Sequence, residues 1–96
     1  MRVDFHPEAT AELETSADWY LLRGPSAAQG FALAVETALD RIARFPERYP
    51  RIDAHHRSGN VENYPFQIIY RDDDQRIYII AIAHAKRRPG YWKRRG

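Results

Sequence analysis

The chain contains no cysteine among its 96 residues, so it has neither disulfide bonds nor thiolate metal sites. It also lacks a long apolar run: no stretch approaches the ~20 residues that a membrane-spanning helix needs. The first five residues carry no apolar run of signal-peptide length. Because the absence of cysteine suits a reducing compartment, we expect a cytoplasmic protein that does not contact the membrane.

Several catalytic signatures are missing as well. The sequence has no glycine-rich phosphate loop and no nucleophile motif. His55 and His56 are adjacent, but no third ligand follows at a convincing spacing, so we expect no metal and no cofactor. The length leaves room for one core only, and a hydrophobic content of 44% is ordinary for a folded protein. We therefore predict a single domain over residues 1–96.

The positive charge of the chain is concentrated at one end. The formal net charge is only +2, yet residues 84–96 hold six basic side chains and no acid, while the other 83 residues sum to −4. Such asymmetry is typical of a surface for nucleic acid or for an acidic partner, and a solubilising tail is the alternative.

The apolar pattern of the first half predicts a strand and two helices. Residues 2–5 alternate weakly, and Pro7 suits the first turn of a helix that ends at Gly24-Pro25. Ser26 opens the second helix, with Gln29 completing a capping box, and Pro46 stops it. The link between the helices is about three residues, so we expect an antiparallel helix hairpin.

The second half predicts a sheet. Residues 57–63 form a weak strand, residues 64–71 a stronger one, residues 72–75 a turn, and residues 76–84 a strongly apolar strand. In the last strand we place Ile80 and Ile82 on one face and Ile77, Ile79, Ala81 and Ala83 on the other. Because both faces are apolar, something must cover the second face, either a bound partner or the C-terminal end of the chain folding back. The predicted fold class is α+β: an N-terminal strand at an edge of the sheet or beside the last strand, a helix hairpin, and a three-stranded antiparallel sheet.

The C-terminal half resembles a known family. Two runs carry the resemblance: Tyr64-Pro65-Phe66-Gln67-Ile68-Ile69-Tyr70-Arg71, and His84-Ala85-Lys86-Arg87-Arg88-Pro89-Gly90-Tyr91-Trp92-Lys93-Arg94-Arg95. With an acidic turn and an isoleucine-rich strand between them, they look like the ParE-type branch of the RelE/ParE toxins. Upstream, Pro7, Ala9 and Leu13, and then residues 31–46, stand where that family has its helix hairpin.

The resemblance implies a toxin of a type II toxin–antitoxin module, of the plasmid stabilisation type, which inhibits growth and is silenced by a cognate antitoxin. In the ParE branch the target is DNA gyrase. For such a target-binding role the candidate residues lie at the basic end: His84, Arg87, Arg88, Tyr91, Trp92 and Arg94.

The RelE branch offers the alternative activity, cleavage of messenger RNA in the ribosome. Arg71 and Arg87 would then hold the phosphate, and Tyr91 would act as acid or base. The RelE branch usually carries further lysines in the middle of its sheet, whereas this chain has only Lys86 and Lys93. Since Arg71 borders the 72–75 turn and His84 lies at the opposite end of its strand, we do not expect those two to cooperate. The sequence thus favours a toxin without catalytic activity, and an inactive member that only binds its partner is a third hypothesis.

The expected antitoxin is acidic and amphipathic, and folds on binding to form a hetero-oligomer. It would add a strand to the sheet edge or lay a helix along the helix hairpin. The candidate contacts are the apolar side chains of the second helix and the last strand: Phe31, Val35, Ile42, Ile80 and Ile82.

Overall fold

The computed structural model describes residues 2–96 as one α+β domain, as predicted. The elements in chain order are β1 (Arg2–Phe5), α1 (Pro7–Leu21), α2 (Pro25–Arg44), β2 (Arg57–Val61), β3 (Phe66–Asp73) and β4 (Arg76–His84), with short 3-10 turns at Pro46–Arg48 and Lys93–Arg95. No helix among these residues is both long enough and apolar enough to cross a bilayer.

The two helices begin at prolines. Pro7 opens α1, and the His6 ring caps this helix by accepting a hydrogen bond from the Glu8 amide at 3.0 Å. The predicted capping box at Ser26 is wrong, because α2 already begins at Pro25 and its N-cap is Gly24, which makes no side-chain cap. The fixed φ of proline suits the first helical position, so the start lies one residue earlier than the Ser26 pattern indicates.

The sheet has four strands in the order β1-β4-β3-β2. β2, β3 and β4 are antiparallel neighbours, and β1 lies parallel to β4 at the edge, so the first strand does sit beside the last. The predicted turn at residues 72–75 is too long: β3 continues to Asp73, which pairs with Arg76, and leaves two residues in the turn. Asp72 is held in the strand by an ion pair with Arg57 at 3.4 Å.

The core lies between the helix hairpin and one face of the sheet, which we call the helix face. Phe31 is fully buried there, stacked on Tyr20 with ring centroids 4.7 Å apart. Tyr70 is also fully buried, and its hydroxyl donates to the Pro46 carbonyl at 2.5 Å, so the one polar atom of this side chain is satisfied.

A bulge changes which side chains of β4 share a face. The register shifts between Ile69 and Tyr70, which pair with Ala81 and Ile79, so Ile80 is an extra residue in β4. One extra residue reverses the alternation beyond it. Ile82 therefore joins the helix-face core, while Ile80 and Ala81 share a cluster on the opposite face, which we call the second face. The prediction that Ile80 and Ile82 share a face is wrong for this reason.

Candidate functional site

The second face of the sheet is covered by residues 85–96, which we call the C-terminal segment. Trp92 is the centre of this cover: it is only 6% exposed and packs in one cluster with Ile69, Ile80 and Ala81. Of the two covers considered from the sequence, the chain's own end is therefore the one present. A side chain of this size buries a large apolar area, so Trp92 anchors the segment.

A buried histidine supports Trp92 from the side. The His56 ring lies edge-on to Trp92, with centroids 4.8 Å apart, and its Nδ1 is 2.9 Å from the Asp53 carboxylate. Burial tends to raise the pKa of Asp53, but hydrogen bonds from the His55 amide and from the ring and amide of His56 outweigh it and lower this pKa to about 2. The His56 side chain thus has a structural role, while His55 contributes only its backbone amide. Residues 2–96 bring no three His, Cys, Asp or Glu side chains together as a metal site requires.

Glu12 of α1 holds the other side of the C-terminal segment. Its carboxylate accepts a hydrogen bond from the Tyr91 hydroxyl at 2.6 Å and two from the Arg95 guanidinium at 2.8 and 3.0 Å. A fourth bond comes from the backbone amide of Ile82 at 3.0 Å. The side chains of Glu12 and Arg95 are only 15% and 9% exposed, so this is a largely buried ion pair.

The length of β1 explains why Glu12 is needed. β1 pairs with β4 only as far as Ile79, so the edge of β4 beyond that point has no neighbouring strand. Glu12 accepts from the Ile82 amide there, and Arg95 donates to the Ile80 carbonyl at 3.2 Å. Two charged side chains therefore satisfy backbone groups that a longer first strand would have paired.

The environment of Tyr91 limits its chemistry. Burial and the hydrogen bond to Glu12 raise the pKa of Tyr91 well above its usual value. The guanidiniums of Arg87 and Arg95 lie 3.9 and 5.0 Å from the centre of its ring. A general base works best with a pKa near the operating pH, so Tyr91 is poorly suited to take a proton from a substrate.

The three residues proposed for catalysis do not form one group. Arg87 and Tyr91 are in contact, but Arg71 donates to the backbone carbonyl of Gly96 and lies 5.8 Å from the Tyr78 ring. Within residues 2–96 no hydrogen bond or ion pair connects Arg71 with Arg87 or Tyr91.

The six residues proposed for target binding fall into two sets. Arg87, Arg88 and Arg94 are exposed, whereas Tyr91 is half-buried and Trp92 is buried, and both hold the segment in place. In this conformation Trp92 therefore offers little surface to a target. His84 is half-buried: its Nδ1 accepts from the Lys86 amide at 3.0 Å, and its ring lies edge-on to Phe66. His84 also lies at the far end of β4 from the turn, paired with Phe66, as expected.

The five residues proposed for antitoxin binding are buried in the chain itself. Relative exposure is 3% or less for all of them: Phe31, Val35, Ile42, Ile80 and Ile82. Four belong to the helix-face core and Ile80 to the second-face cluster, so none presents a surface to a partner in this conformation. Helical spacing identified an apolar stripe correctly, but the sheet of the same chain occupies it.

Glu12 and Arg95 were not singled out from the sequence. Glu12 stands beside the apolar stripe of α1 rather than in it, and such carboxylates are usually solvated. Two features point to a role for Glu12: it stands three residues after Ala9, which is fully buried, and the C-terminal end carries positive charge with no acid of its own.

Comparisons with known proteins agree with this architecture. The family model described as the ParE toxin of the type II toxin–antitoxin system parDE matches residues 3–89. A relative from Caulobacter vibrioides, named Toxin RelE2, is 37% identical over 79 residues, which cover 82% of this chain and 89% of the relative. A solved structure from P. aeruginosa, titled as a chromosomal ParDE toxin–antitoxin system, superposes with a TM-score of 0.76 over 90% of this chain and 97% of that one.

That structure shares 21% sequence identity, so it supports the fold alone. The family rests on the match over residues 3–89 and on the 37% identical relative. Since both cover most of the chain, the protein is a toxin of the RelE/ParE superfamily and belongs to the ParE toxin family of type II toxin–antitoxin systems.

Proposed function

We propose that this toxin acts as a non-catalytic inhibitor of DNA gyrase in the cytoplasm, presenting its C-terminal segment to the target until an antitoxin neutralises it. The observation that carries the proposal is the cover on the second face. Trp92 fills the centre of that face, and Arg71 at its border is engaged with Gly96. A substrate would have to displace this packing before it reached the face.

The chemistry of the remaining candidates supports binding over cleavage. Attack by a ribose 2′-hydroxyl needs a base, an acid and cations that converge on one phosphate. Here Tyr91 is bound to a carboxylate, Arg95 is paired with the same carboxylate, and Arg71 donates to the Gly96 carbonyl instead. Exposed arginines on an anchored segment suit protein recognition, where arginine is enriched among the residues that dominate affinity.

Inhibition of supercoiling by the purified chain tests the proposal. We expect relaxed plasmid to accumulate as toxin is added to gyrase and ATP. Arg87→Ala should weaken inhibition, because Arg87 is an exposed cation of the C-terminal segment. The matched control is Arg44→Ala, a similarly exposed arginine at the end of α2. Undiminished supercoiling at large toxin excess would refute gyrase as the target.

A second candidate function is ribosome-dependent cleavage of messenger RNA. One observation favours it: the 37% identical relative bears the name Toxin RelE2. Primer extension on translated messages after induction would reveal new cuts at ribosomal A-sites. If such cuts appear and Tyr91→Phe abolishes them, the catalytic alternative replaces the gyrase proposal. If expression without the antitoxin leaves growth unaffected, the chain is an inactive member.

The antitoxin needs a surface other than the buried residues first proposed. A groove of about 1210 Å3 runs between α2 and the region around β2, with Leu33 65% exposed and Ile52 45% exposed on its walls. Arg41 lies on the same groove, and its side chain is 62% exposed. The Arg41 guanidinium lies 3.6 Å from the Glu62 carboxylate, which lines the same groove. Apolar walls suit an amphipathic segment that folds on binding, and an acidic side chain of that segment would compete with Glu62 for Arg41.

Co-expression with the cognate antitoxin tests this surface. Leu33→Asp should reduce recovery of the complex, because it adds a negative charge to an apolar wall. Leu22→Asp is the matched control: Leu22 is 85% exposed, but it lies at the turn between the helices, outside the groove. Equal recovery of both variants would exclude the groove as the antitoxin site.

A further inference from the structure

The positive charges of the C-terminal segment differ in how far they are neutralised. Arg95 is paired with Glu12 at 2.8 Å and with Glu8 at 3.6 Å, and Arg87 is 3.9 Å from Glu12. The other four cations are exposed, and within residues 2–96 none of them lies within 4.0 Å of an acidic group: Lys86, Arg88, Lys93 and Arg94.

These cations are carried by an ordered segment rather than by a loose tail. Trp92 and Arg95 anchor it to the sheet and to α1. Between the anchors and the strand, Gly90 adopts a φ of 75°, and its carbonyl accepts from the Lys93 amide at 3.0 Å. A fixed backbone lowers the entropic cost of binding, so the backbone positions that carry these charges are prearranged.

Within residues 85–96 neither aromatic ring is free to stack on a base. Trp92 is buried, and the ring of Tyr91 is flanked by Arg87 and Arg95. Proteins that hold single-stranded nucleic acid stack its bases on exposed aromatic rings, whereas contacts with a duplex backbone need only cations and other donors. We propose that Lys86, Arg88, Lys93 and Arg94 together form a surface that binds the phosphate backbone of duplex DNA without sequence preference.

This inference deepens the proposed function, because gyrase acts on duplex DNA, but the chain's binding to DNA is measurable without gyrase. The probe is a fluorescently labelled duplex of about 20 base pairs, titrated with the purified toxin at several salt concentrations. Each phosphate contact contributes about −0.9 to the slope of log K against log salt, so four contacts predict a slope of about −3 to −4.

Arg88→Ala/Arg94→Ala should reduce the magnitude of that slope by about 2, since each removed contact lowers it by about 1. Neither side chain makes an ion pair within residues 2–96, so the fold should be preserved, which circular dichroism would verify. The control Arg41→Ala/Arg44→Ala removes the same charge from the exposed end of α2 and should leave the slope unchanged.

Three results would overturn the inference: no binding of the duplex at low salt, an equal reduction of the salt slope in both double variants, or tighter binding of a single strand of the same length. The proposed function fails separately. If the toxin inhibits supercoiling but does not bind the duplex, the DNA surface is wrong and the gyrase proposal stands. If the toxin binds the duplex with the expected slope and supercoiling is unaffected, the DNA surface stands and the gyrase proposal is wrong.

Discussion

Replacing Glu12 should both loosen the C-terminal segment and lower the stability of the fold. One carboxylate receives hydrogen bonds from Tyr91, Arg95 and the Ile82 amide. Glu12→Ala leaves all of these donors without their acceptor at a largely buried position. Glu12→Gln keeps the shape and one acceptor oxygen, but it removes the charge and places an amide NH2 where donors already converge.

The magnitude follows from how deeply the pair is buried. Removing one partner of a buried ion pair costs about 3 to 5 kcal/mol, which we expect for Glu12→Ala. Single hydrogen bonds to charged groups contribute about 1.5 to 3 kcal/mol, which sets the expected loss for Glu12→Gln. Glu8 also pairs with Arg95, at 3.6 Å, but its side chain is 66% exposed. Exposed pairs contribute about 0 to 1 kcal/mol, so Glu8→Gln is the matched control.

Urea denaturation of the purified chain measures these differences. Trp19 is 49% exposed and would obscure the signal of Trp92, so the series is made in a Trp19→Phe background in which fluorescence reports on the segment. Exchange of the Ile82 amide with deuterium gives a second readout, about tenfold faster for each 1.4 kcal/mol lost. If Glu12→Gln and Glu8→Gln unfold at the same urea concentration and Ile82 exchange is unchanged, Glu12 does not hold the segment.

Three further substitutions test other parts of this account. Trp92→Ala should lower the free energy of unfolding by about 3 to 5 kcal/mol in thermal or urea denaturation, because it removes the largest side chain packed on the second face. A loss below about 1 kcal/mol would show that Trp92 is not tightly packed there. Tyr70→Phe should cost about 1 to 2 kcal/mol by the same assay, since it leaves the buried Pro46 carbonyl unpaired, and a stability equal to wild type would contradict that bond. Asp53→Asn tests the lowered pKa of Asp53, which is about 2. A carboxyl whose pKa is lower in the folded state stabilises the fold at pH values above its ordinary pKa. That stabilisation is lost as the pH falls towards 2. Its loss should therefore cost about 1 to 2 kcal/mol at neutral pH and progressively less in acid, and a difference that does not shrink with pH would refute the role of its charge.

The element order and the layer arrangement were predictable because local signals agree with the tertiary fold. Pro7 and Pro46 mark a helix start and a helix stop in the sequence, and α1 begins at Pro7 while α2 ends just before Pro46. The alternation of residues 66–71 correctly predicts which side chains of β3 point to the helix face, because Phe66, Ile68 and Tyr70 all lie in the core. The bounds of β3 differ from the prediction at both ends: pairing with β4 extends this strand to Asp73, whereas residues 62–65, which were predicted in strands, form a turn.

The faces of β4 were not predictable in the same way. The sequence Ile79-Ile80-Ala81-Ile82 is apolar throughout, so its pattern contains no sign of where an extra residue enters the ladder. Only the partner strand fixes the position of the bulge, through the pairs Tyr70↔Ile79 and Ile69↔Ala81. A pattern with period two cannot predict a register that the neighbouring strand determines.

Predicting the candidate site also requires knowledge of contacts between residues far apart in the sequence. Glu12 and Arg95 are separated by 83 positions, and each one alone looks like an ordinary surface charge. Their pairing depends on the short β1, which leaves the end of β4 open and brings α1 close to that open edge. The short first strand leaves the Ile82 amide and the Ile80 carbonyl without a strand partner, and Glu12 and Arg95 bind these groups instead. Extending β1 by sequence design would pair these backbone groups and make both charged side chains dispensable. The C-terminal segment would then lose its bonds to α1 and keep the packing of Trp92 and the bond from Arg71 to Gly96. The anchoring of the exposed arginines therefore depends on a strand at the opposite end of the chain.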